Sequence, residues 1–181
     1  MMNIRYLIGS SKINRYSRIP FDDLICEFLS DFSSVLNKSK ILKDYPDIKT
    51  LAFWCRKGNI QCLKNNFINT KLRFGLGLTF HIAPSNIPIN FAYSLIFGLL
   101  SGNSNIVKVP SNNYEQVNIV CSSLKKILKK KKYNSLKKMI TVVRYKDCND
   151  FTKKISLISD ARIIWGGDKT ISTIRSFPTD Q

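Results

Sequence analysis

The chain has 181 residues, 44% of them hydrophobic, so it is long enough for one globular domain with a substantial core. Two complete domains would be cramped at this length. Lys and Arg total 29 against 12 Asp and Glu, a formal net charge of +17, which admits a polyanionic partner such as nucleic acid. The same excess fits AT-rich codon usage, because it is mostly Lys in a chain crowded with Asn and Ile.

The cysteines give no metal site and no disulfide framework, because they are odd in number, widely spaced and form no C-x-x-C pair. They are Cys26, Cys55, Cys62, Cys121 and Cys148. The first residues lack the continuous apolar segment of a signal peptide. The most apolar stretch, residues 87–100, is shorter than the roughly 20 residues that a membrane-spanning helix needs. We therefore expect a cytoplasmic protein without a metal or a membrane span.

Helical periodicity marks the first part of the chain. Apolar residues recur at steps of three and four between positions 21 and 32, which predicts an amphipathic helix. A second helix is predicted over residues 48–64, where apolar residues precede the polar sequence RKGN, interpreted as a stop signal. Residues 1–70 are therefore predicted to form a helical N-terminal segment.

After Lys71 the sequence alternates between predicted strands and helices. Short apolar runs at residues 78–83, 106–110, 140–143 and 161–165 predict strands. Helical stretches are predicted at residues 88–100, 114–130 and 149–158, with one more after Gly167. A parallel connection needs a crossover long enough to hold a helix, so this order predicts an α/β fold with a doubly wound, mostly parallel sheet. Residues 71–181 are interpreted as a partial dinucleotide-binding domain.

A run of lysines lies at the end of the helix predicted from residue 114 and continues beyond it, within residues 125–138. Cations at this position suit the negative end of the helix dipole. The run is either a solvated helix terminus or a patch that binds nucleic acid.

Three loops follow predicted strands, where open parallel sheets bind ligands. In the first, Asn86 is either an oxyanion donor or a structural residue, the N-cap of the next helix or a turn residue ahead of Pro88. In the second, Lys108 is either an edge residue facing solvent or a cation aimed at a ligand. In the third, Gly166 and Gly167 either allow a close approach to a phosphate or form a plain strand-to-helix turn, and Asp168 is predicted to be the N-cap of the last helix.

The segment FGLGLTFHIAPSNIPINFAYSLIFGLLSGNSNIVKVPS resembles the fatty-acid (acyl-CoA) reductases of the bacterial luminescence system, and ARIIWGGDKTISTIR extends the likeness. This family is a branch of the aldehyde dehydrogenase superfamily, whose proline, aromatic, asparagine, hydrophobic, proline loop corresponds to residues 84–88. Ser85 replaces the aromatic residue. The resemblance implies an aldehyde dehydrogenase-like cofactor-binding domain, which lacks the usual glycine signature for dinucleotides.

The resemblance also implies roles for particular residues. Asn86 would donate to the oxyanion, and Lys108 would reach the adenosine ribose or its 2′-phosphate. Gly166 and Gly167 would face the pyrophosphate of NADPH. The remaining residues of the implied cofactor-binding set are Pro84, Ser85 and Ser111.

In the family, an acyl group passes from CoA or a partner acyltransferase to a cysteine, and NADPH then reduces the thioester to an aldehyde. That cysteine follows the glycine turn, and none follows Gly167 here. The resemblance therefore implies a fragment without the catalytic domain, inactive alone, whose other half is supplied by a second chain or lost. Two alternatives are a basic nucleic-acid-binding module and a degenerate fragment without activity.

Overall fold

The computed structural model describes residues 4–67, 71–146 and 148–179. Its centre is a five-stranded sheet in the order β1-β4-β3-β2-β5. The strands are β1 (Arg5–Ile8), β2 (Leu78–Ile82), β3 (Ser104–Lys108), β4 (Ile140–Arg144) and β5 (Ala161–Ile164). β1 is antiparallel to β4, and the other neighbours are parallel. The predicted α/β fold with a mostly parallel sheet is confirmed.

Helices cover both faces of this sheet. They are α1 (Asp23–Asn37), α2 (Pro46–Trp54), α3 (Lys57–Asn66), α4 (Asn90–Leu100), α5 (Glu115–Leu128), α6 (Asn134–Lys137), α7 (Asn149–Leu157) and α8 (Asp168–Arg175), with 3-10 turns at Lys40–Lys43 and Lys131–Tyr133. One core cluster includes α1, α2, α4 and α5, and we call this side the α1 face. A second cluster joins the other side of the sheet to α7 and α8, and we call it the α7 face.

Alternation along the strands explains why there are two clusters. In β2, Leu78, Phe80 and Ile82 belong to the cluster of the α7 face. His81, between two of them, contacts Ser94 of α4 on the opposite face. Successive strand residues point to opposite faces, so a strand that is buried throughout reads as a continuous apolar run.

The first helix begins where its sequence provides a cap. The Asp22 side chain accepts hydrogen bonds from the backbone N–H groups of Leu24 and Ile25, which no intrahelical carbonyl can satisfy. The buried stripe of α1 then packs against α2, α3 and α5. It consists of Ile25, Phe28, Leu29, Phe32, Ser33 and Leu36. The helix is thus fixed by one polar cap and one apolar face.

Several local predictions need correction. No strand was predicted at β1, which lies inside the segment predicted to be helical and pairs with β4. The single helix predicted over residues 48–64 is two helices, interrupted at Cys55 and Arg56. β3 begins at Ser104, two residues earlier than predicted, because the Asn105 side chain is satisfied by hydrogen bonds inside the protein.

The division near residue 70 remains a proposal, and residues 68–70 themselves lie outside the described part of the chain. Residues on both sides of that position share the core cluster of the α1 face. Phe28 and Tyr133, for example, contact each other edge to face with ring centroids 5.2 Å apart.

Candidate cofactor-binding site

The carboxyl ends of the parallel strands meet at one edge of the sheet. Ile82 lies opposite both Lys108 and Ile164, and Lys108 lies opposite Val143. The loops after β2, β3 and β5 therefore begin side by side. This carboxyl edge is where an open parallel sheet offers a ligand backbone N–H groups and loop side chains together.

The loop after β2 holds Asn86 at the surface. The Ala83 backbone N–H continues the sheet by donating to the Lys108 carbonyl at 3.1 Å. The Tyr114 hydroxyl donates to the Ser85 carbonyl at 3.1 Å, which ties this loop to the segment before α5. Ile89 is the N-cap residue of α4, so the capping alternative for Asn86 is wrong. The exposed Asn86 amide can therefore face a ligand, and Pro84 of the same loop is half-buried.

Lys108 is the last residue of the central strand. It has a neighbouring strand on each side, so the alternative of an edge residue is wrong. Its Nζ lies 4.8 Å from the ring centroid of Tyr145, which favours a cation over an aromatic face. Tyr145 is buried and its hydroxyl is 2.9 Å from the Thr152 hydroxyl. This platform holds the lysine at the carboxyl edge, and exposed Ser111 follows three residues later.

The glycine turn after β5 leads directly into α8. Gly167 is the N-cap residue, and Asp168 is the first helical residue, so the predicted Asp168 N-cap is wrong. A Cβ at Gly166 would lie 3.2 Å from the Thr170 Cβ, whereas a Cβ at Gly167 would have no neighbour within 4 Å. The space beside Gly167 is therefore open to a ligand.

A buried polar chain that the sequence did not reveal runs beneath α4. The Trp165 indole N–H donates to the Ser94 hydroxyl at 3.2 Å, and that hydroxyl lies 2.7 Å from His81 Nδ1. His81 Nε2 lies 2.9 Å from the Asn105 side-chain oxygen, and the Asn105 amide donates to the Asn103 carbonyl at 2.6 Å. An amide oxygen only accepts, so Nε2 carries the proton and Nδ1 accepts from Ser94. Burial lowers the pKa of His81 to about 4, so the ring is neutral near neutral pH.

This chain fixes the helix that follows the Asn86 loop. Ser94 lies one turn inside α4, and the side chains that hold it belong to β2 and β3. Because α4 is hydrogen-bonded to two strands, the loop that precedes it ends at a fixed position. The only sequence signal is three polar residues in otherwise apolar segments, and periodicity does not identify their partners.

A comparison with family models identifies the protein class. The model described as Acyl-CoA reductase (LuxC) matches residues 42–180, well over half of the chain. The chain belongs to this family. The resemblance inferred from the sequence is confirmed: the chain is a member of the acyl-CoA reductase family. A search of curated proteins and a search of solved structures each returned no match. In the described part of the chain, no helix is long and apolar enough to cross a membrane.

The cysteines bear on the chemistry that this family performs. Burial raises the pKa of the Cys55 thiol and of the Cys121 thiol to about 12 each. Burial also raises the pKa of Cys26, whose thiol donates to the Phe21 carbonyl. A nucleophile must be a thiolate, so these three cysteines are poor nucleophiles at neutral pH. Cys148 is buried and is the N-cap residue of α7.

The lysine run divides into two parts. Lys130 Nζ lies 2.7 Å from an Asp31 carboxylate oxygen, and Lys132 Nζ lies 2.7 Å from Glu27, so these amines pair with α1. Lys137 and Lys138 instead line a cleft of about 750 Å³ with Lys12. Gly9, beside the start of β4, also lines this cleft, so it lies at the amino edge of the sheet. The cleft and the carboxyl edge are separate surfaces.

Proposed function

We propose that the chain is the cofactor-binding part of an NADPH-dependent acyl-CoA reductase that converts a fatty acyl thioester to an aldehyde. Family membership supports the reaction class. The observation that carries the proposal is the register that brings the Ile82, Lys108 and Ile164 strand ends together. That edge is the expected place for a dinucleotide in a doubly wound sheet.

The residues at the carboxyl edge fit the cofactor. Lys108 is a cation held beside the loop of Ser111 and suits the adenosine ribose or a 2′-phosphate. Gly167 leaves open space where a pyrophosphate would approach the start of α8. The exposed carboxylate of Asp168, in the first turn of that helix, opposes an anion there and would weaken binding. When bound, NADPH would supply the hydride.

Asn86 is proposed to act on the acyl group. Its exposed amide can donate a hydrogen bond to a thioester oxygen as that oxygen gains negative charge. The pinned start of α4 and the hydrogen bond from Tyr114 to Ser85 hold the loop in place before the substrate arrives. A donor oriented in advance stabilises the transition state without reorganisation at the moment of reaction.

The acyl-accepting cysteine is proposed to come from elsewhere. Cys26, Cys55 and Cys121 have raised pKa values. From the membership in this family we also propose that the chain is cytoplasmic and is a fragment, inactive alone, and that a second chain carries the catalytic domain. Its substrate would be acyl-CoA or an acyl group delivered by an acyl carrier or acyltransferase partner, as in the luminescence-type reductases.

The test uses the purified chain. NADPH is titrated to millimolar concentration while the fluorescence of its reduced nicotinamide is followed, and acyl-CoA is then added. We expect weak binding, loss of binding in Lys108→Ala, and no oxidation of NADPH by acyl-CoA. The matched control is Lys126→Ala, on the exposed side of α5. Turnover by the chain alone would contradict the fragment proposal, and absence of binding at millimolar NADPH would contradict the cofactor proposal.

A second candidate function rests on the basic cleft at the amino edge. Lys12, Lys137 and Lys138 line it beside the exposed ring of Tyr16, an arrangement that suits phosphates and a stacked base. This function predicts salt-dependent binding of a labelled single-stranded oligonucleotide that NADPH does not displace. No oligonucleotide binding at low salt would exclude it.

A further inference from the structure

Arg144, the last residue of β4, is a buried cation with unsatisfied hydrogen-bonding groups. It is only 9% exposed. Nη1 donates to the Asn113 side-chain oxygen at 2.7 Å. Within the described residues, its Nε and Nη2 are buried and have no hydrogen-bond partner. Buried guanidinium groups are normally paired, because an unpaired charge in a low dielectric is costly.

No carboxylate among the described residues forms an ion pair with Arg144. Burial lowers the pKa of the guanidinium, and Arg5 on the neighbouring strand lowers it further. The Cys121 thiol on α5 acts in the opposite direction, but burial keeps that thiol protonated near neutral pH. An anion at this position would supply the missing charge and accept from the free N–H groups.

Arg144 also marks the amino end of a long helix. Asn113, which it contacts, immediately precedes Tyr114, the N-cap residue of the 14-residue helix α5. No side chain in the described part of the chain caps this helix end. Its free N–H groups and its dipole favour an anion, and the Arg144 guanidinium is held next to this helix end through the bond from Nη1 to Asn113. Ser111 lies exposed in the same connection, three residues after Lys108.

We propose that Arg144 recognises a phosphate monoester at the amino end of α5, which in a bound dinucleotide would be the 2′-phosphate that distinguishes NADPH from NADH. This inference rests on the proposed function, because it assigns a specificity residue to the same carboxyl edge. The dianion of a monoester matches the planar donor fork of arginine. One carboxylate, that of Glu115, lies in the first turn of α5 and opposes the phosphate.

The test compares dinucleotides on variants of the full chain. The dissociation constants of NADPH and NADH are measured for the natural chain, for Arg144→Met and for Arg144→Lys. We expect Arg144→Met to weaken NADPH binding roughly tenfold or more while leaving NADH binding unchanged, since hydrogen bonds to a charged group are lost only with NADPH. Arg144→Lys should retain part of the preference. Lys126→Met on the exposed side of α5 is the matched control, with an unchanged NADPH to NADH ratio.

Two further readouts separate ligand recognition from a structural role. Replacing an uncompensated buried cation with an apolar side chain of similar length should raise the melting temperature of the unliganded protein by a few degrees. A structural role predicts the opposite. Glu115→Gln removes the opposing carboxylate and should tighten NADPH binding a few-fold without affecting NADH.

The source of the phosphate is distinguished by adding inorganic phosphate and 2′,5′-ADP to the same proteins. Competition by 2′,5′-ADP and not by inorganic phosphate supports the nucleotide, and competition by both at similar concentrations supports a free phosphate site. An unchanged NADPH to NADH ratio in folded Arg144→Met, or equal affinities in the natural chain, would overturn the inference while leaving dinucleotide binding intact. Binding of neither dinucleotide would contradict the proposed function as well.

Discussion

The two faces of the sheet are built in different ways. On the α1 face, four helices of 9 to 15 residues enclose a large apolar cluster, and α4 is also held by the polar chain of Ser94, His81 and Asn105. On the α7 face, two helices of 9 and 8 residues cover a smaller cluster, and all four residues of β5 are half-buried. We therefore expect the α1 face to carry most of the stability and to orient the Asn86 loop. The α7 face carries Lys108 and the start of α8.

The largest expected difference between the faces lies in their apolar cores. Phe28→Ala should lower the free energy of unfolding by about 3 to 5 kcal/mol, because a fully buried ring is removed from α1 and its contact with Tyr133 is lost. Phe177→Ala on the α7 face should cost less, since that ring is 7% exposed and follows the last helix. Urea denaturation of both variants measures the difference. Equal losses would mean that the two faces contribute alike.

The buried histidine should make the α1 face sensitive to acid. The folded-state pKa of His81 is about 4, below its ordinary value of 6.5, so the unfolded chain binds a proton first as the pH falls. The contribution is complete above pH 6.5 and is lost between pH 6.5 and 4. It amounts to about 3 kcal/mol at roughly 1.4 kcal/mol per pKa unit.

The measurement compares urea denaturation of the natural chain and of His81→Gln across this pH range. His81 is the one histidine in the sequence, so the difference between the two curves isolates its titration from that of the carboxylates. Parallel curves for the two proteins would show that His81 titrates normally and that the polar chain does not hold it neutral.

The strands and helices that the sequence predicted share a simple property. Residues 78–83 and 140–143 are mostly apolar runs, and β2 and β4 occupy almost those positions, because buried parallel strands need apolar residues on both faces. β1 escaped prediction, since its four residues RYLI are too few to show a period and its pairing partner lies more than 130 residues away.

The candidate site was harder to predict than the fold. The family resemblance named the loops, and strand register explains why they meet. The roles of Asn86 and Lys108 remain proposals, and two simple alternatives for them are excluded by the N-cap at Ile89 and by the central position of β3. The sequence did not identify Arg144 or His81 as candidate site residues. Their importance depends on which hydrogen-bond partners they have or lack, and only the tertiary structure shows this.

A glycine in α4 tests how closely that helix approaches the polar chain. A Cβ on Gly98 would collide with the Asn105 side-chain oxygen and would lie 2.9 Å from His81 Nε2. Gly98→Ala should therefore destabilise the protein by about 1 to 3 kcal/mol, although alanine favours helix more than glycine does. The control is Gly58→Ala in α3, where a Cβ meets nothing within 4 Å, and it should be neutral or stabilising by up to about 1 kcal/mol. Equal effects on thermal unfolding would show that α4 has room to move away from the strands.

The smallest expected effect is at Trp165, where the polar chain reaches the half-buried edge strand β5. Trp165 is 44% exposed beside β5, and its indole N–H is the link from that edge to Ser94. Trp165→Phe keeps an aromatic ring but removes the donor, so it should cost about 0.5 to 1.5 kcal/mol, the net contribution of one hydrogen bond. Trp54→Phe is the control, because the Trp54 ring packs edge to face against Phe97 and Tyr93, and these are contacts that a Phe ring can keep.

Double-mutant analysis makes this last prediction specific. If the indole stabilises the protein through Ser94, then Trp165→Phe should have little effect in a Ser94→Ala background, since contacting residues couple and independent ones add. Additive losses would instead mean that Trp165 stabilises β5 by covering its exposed edge. In that case the polar chain would end at Ser94, and the α1 face would support the edge strand through apolar contact alone.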